Sequence, residues 1–446
     1  MRNHLQVRWF VVFGLVGLVA IVILFLPPVR ERLTWRLSNL RAQIQRSINP
    51  PQEIVFVPEG QTLDGTDLSA QLAPEDFSST PQPAVVITAS PTAQIPSPET
   101  SQVTATPLPS LTPTYTATPL PVDVLLTGLV HEYQQFNNCG PANLSTALSY
   151  WGWTGNQNDT RAFLRPNRDV DDKNVMPGEM VAFVEEHTEF KALARVGGDL
   201  EMLKRLIAAG FPVLIEKGHH PADDWWMGHY VVVNGYDDQR QRFTIQDSLI
   251  APDLSLAYAD LEAHEWRDFN YVYIVIYPAD RQDQVYALLG PHVDSKDNYK
   301  FAAQKALDEM ANLSGRDLFF AWFNLGSSQV GLEDYVAAAQ AYDQAFQLYQ
   351  GLSEEQRPYR LMWYQVGPYV AYYYAGRYQD VVNLANTTFN WVGQPVLEES
   401  YFWRGLAYEA LGDLDKAIAD LKKAAQLNPN YLMPREQLQR LGIEQP

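Results

Sequence analysis

Apolar residues run unbroken from Trp9 to Leu26, relieved only by glycine, until Pro27 and Pro28 stop the run. A helix of that length, at about 1.5 Å per residue, spans most of a ~30 Å hydrocarbon layer, so residues 9–26 are predicted to form a transmembrane helix after a short tail of residues 1–8. Val29, Arg30, Glu31 and Arg32 follow, with no small-residue cleavage site, which predicts a retained anchor. Residues 27–50 form a polar, arginine-rich juxtamembrane segment. From 51 to 122 the pattern dissolves into Pro, Thr and Ser, most clearly between Ala105 and Pro121. Such a composition buries too little surface to fold, so 51–122 is predicted to be a disordered linker. Its reach is on the order of 100 Å if largely polyproline II.

Ordered periodicity returns at residue 123. Leu144, Ala147, Leu148 and Trp151 recur at helical spacing, as do Met180, Phe183 and Val184 in a segment opened by Pro177. Asp199 caps a third helix that Gly210 ends. The period then shortens to two. Phe211–Glu216, His229–Tyr236, Arg242–Gln246 and Tyr271–Tyr277 are β-branched and aromatic runs separated by turn residues. Helices first and strands later predict an α+β domain over 123–282, without alternating βαβ units. Beyond 283 the pattern is helical and repeating. Trp322, Leu325, Gly326, Tyr335, Ala338 and Ala345 recur as Tyr408, Gly412, Ala417, Ala424 and Pro429, with a degenerate copy at Tyr372, Gly376 and Tyr378. This spacing resembles the tetratricopeptide repeat, so 283–446 is predicted to be an all-α solenoid that binds a protein partner.

Composition narrows the chemistry. A net charge of −19 argues against a nucleic-acid partner, whose binders carry basic faces. The single cysteine excludes an intramolecular disulfide and a cysteine-rich zinc site, and no cofactor is expected. Cys139 stands before Gly140, Pro141 and Ala142, at a predicted helix start, where the peptide dipoles favour a thiolate. A thiolate nucleophile needs a base and a group to orient that base. Of the eight histidines, His229 opens an apolar strand behind Gly228 and so faces a cleft. A short turn would pair the next strand antiparallel with it, bringing Asp247 to the histidine's end, where a carboxylate fixes the tautomer. Gln134 or Gln135, with the Cys139 backbone N–H, could stabilise an oxyanion.

Together Gln134, Asn138 to Ala142, Gly228 to Tyr230 and Asp247 resemble the papain-fold cysteine peptidases of the bacteriocin-processing type, more narrowly their stand-alone bacterial branch. The resemblance covers about residues 125–280. It implies Cys139 as nucleophile, His229 as general base and acid, Asp247 as orienting group and Gln134 as oxyanion donor, acting on a peptide or protein substrate. Relatives often carry the glutamine six residues ahead of the cysteine, whereas Gln134 stands five ahead and Gln135 four. No Walker motif accompanies the domain, so double-glycine leader specificity is not implied.

The same residues admit other readings: a non-catalytic peptide-binding scaffold, or an acyl transferase using the same three groups. His219, His220, Asp223 and Asp224 could ligate zinc, although neighbours in one loop rarely face one ion. The plainer expectation is a mobile loop that lays Trp225 and Trp226 over the cleft. The catalytic domain is expected outside the cytoplasm, because Thr/Pro stalks resemble those of bacterial surface proteins. The arginines at 30, 32, 36, 41 and 46 argue the other way.

Overall fold

The computed structural model describes residues 44, 55–59, 119–167, 174–220, 226–391 and 397–443. The predicted span 9–26 and the linker, apart from its residues 55–59 and 119–122, lie outside them. Among the described residues no helix is long and apolar enough to cross a membrane. Contacts divide the chain into one unit of residues 1–59 with 120–446 and another of 60–119. The strands and helices from residue 123 onward belong to the first unit.

An antiparallel sheet forms its middle layer. β1 (Asp123–Leu125), β2 (Phe190–Arg195), β3 (Val213–His219), β4 (Met227–Asp237), β5 (Arg242–Asp247), β6 (Ala251–Ala257) and β7 (Tyr273–Pro278) lie in the order β2-β7-β3-β4-β5-β6, with β1 beside the far end of β4. Alternation along β4 commits its two faces. Tyr230 and Val232 pack with Leu144 and Leu148 of α1 (Cys139–Ser149) and with Met180 and Phe183 of α3 (Pro177–His187), α2 being Gln157–Leu164. Val231 and Val233 turn to Met202 and Leu206 of α4 (Leu200–Ala208) and to Val285 and Leu289 of α5 (Gln282–Leu289). Leu144 and Leu206 are fully buried, and truncating either to Ala costs about 2–5 kcal/mol.

Three strands escape the sequence pattern: the three-residue β1, β2 and β6. β2 is built from Phe, Lys, Ala, Leu and Arg, with Phe190 its one strong strand former, and gains its conformation from β7. β6 is a partly exposed edge strand carrying Pro252, a position an edge tolerates. α5, which starts at residue 282, packs Val285 and Leu289 into the core under the sheet.

Helices α6 (Ser295–Met310), α7 (Gly315–Gly331), α8 (Tyr335–Gly351), α9 (Gly367–Tyr374), α10 (Tyr378–Trp391), α11 (Glu398–Ala410), α12 (Leu414–Leu427) and α13 (Met433–Arg440) follow. The repeat is visible at the turns. Glu333, Gly376 and Gly412 each take a left-handed φ, at 65°, 76° and 88°. Asp334 and Asp413 then cap the next helix by accepting N–H groups of Ala337 and Lys416. A Cβ at Gly405 would stand 3.2 Å from Leu421, so glycine lets α11 and α12 cross closely. Residues 55–59, assigned by composition to the disordered linker, instead pack on this helical region: Phe56 is 3% exposed in the core shared by α7 to α12.

Candidate active site

α1 begins at Cys139, and the loop before it is held from below. Asn138 donates its side-chain amide to Gln157 on α2 (2.8 Å), and Arg165 donates to the carbonyls of Phe136 (3.1 Å) and Asn137 (2.5 Å). Asn137 sits at φ 49°, a left-handed position that asparagine tolerates better than most residues. The sulfur is thereby fixed at the mouth of a helix, within hydrogen-bond reach of the N–H groups of Gly140 and Tyr230 and of the His229 ring.

β4 delivers the histidine and β5 the carboxylate. The pairing of Val232 with Gln246 sets Asp247 beside the His229 end of β4, the register expected from the short turn. His229 Nε2 lies 2.8 Å from Asp247 Oδ1, which leaves Nδ1 to face Cys139. Asp247 Oδ1 also accepts N–H groups of Leu249 (2.9 Å) and Ile250 (3.2 Å), anchoring the carboxylate independently of the imidazole. Cys139, His229 and Asp247 thus form one hydrogen-bonded row, with 9%, 1% and 2% of their surfaces exposed.

Burial opposes charge on all three, and the row outweighs it. Burial pushes the Cys139 thiol up, but the hydrogen bond and charge of His229 and the two backbone N–H groups leave it below its ordinary value. Burial lowers His229, and Asp247 and Cys139 carry it up to about 9. Burial raises Asp247, and the imidazolium and the Leu249 N–H bring it to about 2. These directions favour a thiolate–imidazolium pair at neutral pH.

The two glutamines separate by their partners. Gln135 donates to Asn158 (2.9 Å) and accepts from Arg161 (3.2 Å), both on α2. The Gln134 carbonyl accepts from the Ser248 hydroxyl (2.9 Å), next to Asp247. Ser248 in turn accepts from the Asn143 amide (2.8 Å), which also reaches the carbonyls of Tyr230 (2.6 Å) and Cys139 (3.0 Å). Asn143 therefore ties α1 to β4 and β5 at the site. Its signal in the sequence is an amide one turn after the cysteine, on an apolar helix face.

Glu216, opposite Tyr230 on β3, is a second residue at the site that no sequence motif marks. It is 2% exposed, and burial raises its carboxyl well above the usual range, with the nearby cysteine adding to the rise. His219 lies 5.5 Å from His229, ring to ring; burial first, then the charges of His229 and Lys217, lower it to about 4.

Trp226 corrects the expectation of a tryptophan loop over the cleft. It is 2% exposed, stacked on Phe269 at 5.7 Å and donating its indole N–H to Asp268 (2.8 Å). An indole with a buried acceptor and an aromatic partner gains more from the core than from solvent. Trp225, Asp223 and Asp224 lie outside the described residues. Tyr364, from the helical region, packs against the same pair and accepts the Gly228 N–H, so that region reaches the residue before His229. Among the described residues, the carboxylates that could converge on a cation are those of Glu179, Glu398 and Glu399, within 4.8 Å of one another. Nothing beyond their acidity marks a ligand there.

A helix-borne cysteine facing a histidine and an aspartate on adjacent antiparallel strands gives an α+β fold of the papain-like peptidase kind. Residues 129–277 match the profile of the Peptidase_C39 like family, and residues 398–431 match the tetratricopeptide repeat. The chain therefore carries a C39-like peptidase domain followed by a helical region with a tetratricopeptide repeat. Among solved structures it is similar to a protein described as a C39-like peptidase from Bacillus anthracis, with 20% identity, 34% of this chain and 96% of that chain covered, and a TM-score of 0.30. Xylellain, a cysteine protease from Xylella fastidiosa, aligns at 14% identity over 36% of this chain and 87% of its own, with a TM-score of 0.29. A double-glycine motif protease from an AMS/PCAT transporter, solved with a leader peptide, aligns at 16% identity over 36% and 100%, with a TM-score of 0.26. No curated protein matches this chain.

Proposed function

We propose that the chain is a membrane-anchored cysteine peptidase, held by residues 9–26 with its catalytic domain outside the cytoplasm, whose repeats engage a protein partner. Cys139 is the nucleophile, His229 the general acid and base, and Asp247 the group that orients it. The observation that carries this reading is the buried row of sulfur, imidazole and carboxylate, in a domain matching a peptidase family.

The thiolate of Cys139 attacks the carbonyl carbon of a peptide bond. The resulting oxyanion is held by the Cys139 N–H and the Gln134 amide, whose carbonyl end is occupied by Ser248. The imidazolium of His229 gives its proton to the departing amine, and the C–N bond breaks to leave a thioester. Neutral His229 then takes a proton from water as that water attacks the thioester carbon. The C–S bond breaks, the carboxylic acid product leaves and loses its proton to solvent, and the thiolate–imidazolium pair is restored. Asp247 stays ionised throughout, keeping the ring in the orientation that turns one nitrogen to sulfur.

The test is labelling of the purified protein with an epoxysuccinyl probe, followed by proteomic mapping of cleaved peptides. Stoichiometric, His229-dependent labelling of Cys139 and new peptide termini are expected. Labelling at the rate of a free thiol, indifferent to His229→Ala, rules the reading out.

A further inference from the structure

Within the 51–122 stretch, the segment from Val55 to Glu59 packs like a bound peptide. Phe56 and Pro58 are buried, while Val57 between them and Glu59 after them are exposed. The Phe56 ring stands edge-on to Phe346 of α8 at 4.9 Å between centroids, and 6.0 Å from Tyr372 of α9. The polar contacts are made on α10. The Glu59 backbone N–H donates to Asp380 Oδ1 (2.7 Å), and Asn383 donates its side-chain amide to Glu59 Oε1 (2.9 Å). Asp380 is itself held by Arg377 Nε (2.7 Å), which also grips Asp343 of α8. An aromatic anchor in an apolar pocket, a backbone N–H on a buried carboxylate and a side-chain contact beyond it are the elements of peptide recognition.

We propose that the face formed by α8, α9 and α10 is a binding site for a peptide carrying an aromatic residue two positions before proline and a glutamate after it. Its occupant is this chain's own segment 55–59. The proposal deepens the reading of the helical region as a protein-binding module and does not depend on catalysis at Cys139. Its consequence is a clamp on the linker. While the clamp is closed, residues 55–59 are held in the same body as residues 120–446. Counted from the end of the predicted span, the tether to that body is then about 30 residues, on the order of 100 Å fully extended. With segment 55–59 released it becomes roughly 95 residues, on the order of 300 Å. The site thus governs how far the peptidase domain stands from its anchor.

The experiment uses the full chain carrying Cys139→Ser, so that no outcome depends on peptide cleavage, and a fluorescein-labelled peptide of residues 52–61. In the Phe56→Ala protein the internal anchor is gone. Saturable binding is expected there at an affinity about tenfold or more above that of the Phe56-containing protein, where the internal segment competes. A peptide with alanine in place of its phenylalanine, and Asn383→Ala in the protein, are both expected to weaken binding. Absent binding to the Phe56→Ala protein, equal binding to both proteins, or equal binding of both peptides overturns the proposal. A second measurement does not require losing the anchor. Glu59→Cys with Asn383→Cys, in the same background, is expected to form an intramolecular disulfide on mild oxidation, seen as a gel shift. Failure of that pair to crosslink in a folded protein equally overturns it.

Discussion

Replacing His229 with alanine removes the partner that holds the Cys139 thiol below its ordinary value, while the burial that pushes it up remains. The thiol of the variant is therefore expected to titrate above that of a free cysteine, and the change is largest at low pH. At pH 6 a free cysteine with a pKa near 8.5 is about 0.3% ionised, so a site that holds the thiolate fully formed gains at most about 300-fold in reactive species. A more acidic thiolate is a weaker nucleophile, with a Brønsted slope of about 0.4–0.5, which returns nearly half of that logarithm and leaves roughly 15- to 30-fold. Iodoacetamide, small enough for a cysteine that is 9% exposed, gives the readout. Second-order alkylation rates between pH 5 and 9, compared at equal circular dichroism, should differ by at least about that factor at pH 6, because the variant titrates above a free cysteine, and should draw closer towards pH 9. Superimposable profiles for the two proteins would refute the coupling between sulfur and ring.

Asp247→Asn keeps the shape but loses the charge that carries His229 up to about 9. Because a raised folded value means that the imidazolium persists to about pH 9, its alkaline limb in kcat/KM should move towards the ordinary histidine value near 6.5, with a fall in kcat of at least about tenfold; an unmoved limb contradicts the assignment. Asp247 itself is depressed to about 2, so its share of stability is present above its unfolded value of 3.8 and disappears as the pH falls through 2. Glu216→Gln tests a proton count. The Tyr230 hydroxyl lies 2.9 Å from the Val175 carbonyl and 2.8 Å from Glu216, and one hydroxyl proton cannot serve both acceptors. A protonated Glu216 supplies the second. Since its folded value is raised, the wild type loses stability as the pH climbs above the unfolded value of 4.5, and glutamine does not. The variant should match the wild type in Tm near pH 5 and exceed it at pH 8, and a variant less stable at pH 8 counts against the protonated state. Gly228→Ala would set a Cβ 2.5 Å from Phe269 and 2.8 Å from Tyr364, rigid rings on either side of the approach to His229. A stability loss of about 1–3 kcal/mol with reduced kcat is expected from urea melts and steady-state kinetics, and unchanged kcat shows that the packing is not transmitted to the histidine.

What the sequence disclosed came from local rules. The helix start at Cys139, the capping by Asp199, whose carboxylate accepts the Met202 N–H, and the antiparallel β4–β5 pair are each set by a few neighbouring residues. What it hid depends on distant partners. β2 has no strand signal of its own without β7. Asn143 acquires meaning only through Tyr230 and Ser248, 87 and 105 positions away. Trp226 looks like a surface aromatic beside a polar loop until Phe269, Phe320 and Tyr364 close around it. Composition also misassigned Phe56, because a pentapeptide is too short to alter the average of a 72-residue polar stretch.

The relation between the two folded regions rests on Asp268. Its carboxylate is 2% exposed, accepts the Trp226 indole (2.8 Å) from the peptidase side and meets Arg316 of α7 (2.5 Å), while its backbone carbonyl accepts Gln365 (3.0 Å). Burial lifts it to about 6 even with Arg316 in place, so the carboxylate depends on that arginine for much of its charge stabilisation. Around it, Asn324 donates to the Arg267 carbonyl (2.8 Å), and Asn270 donates to Ser328 (3.0 Å). Polar groups buried in pairs across a boundary lose their partners if either side is removed, and each loss costs about 1–3 kcal/mol. Trp226 and Phe269 would be uncovered together with Gly228, one residue from the imidazole. The helical region is therefore a wall of the peptidase domain near its histidine, and the repeats and the cleft fold as one unit.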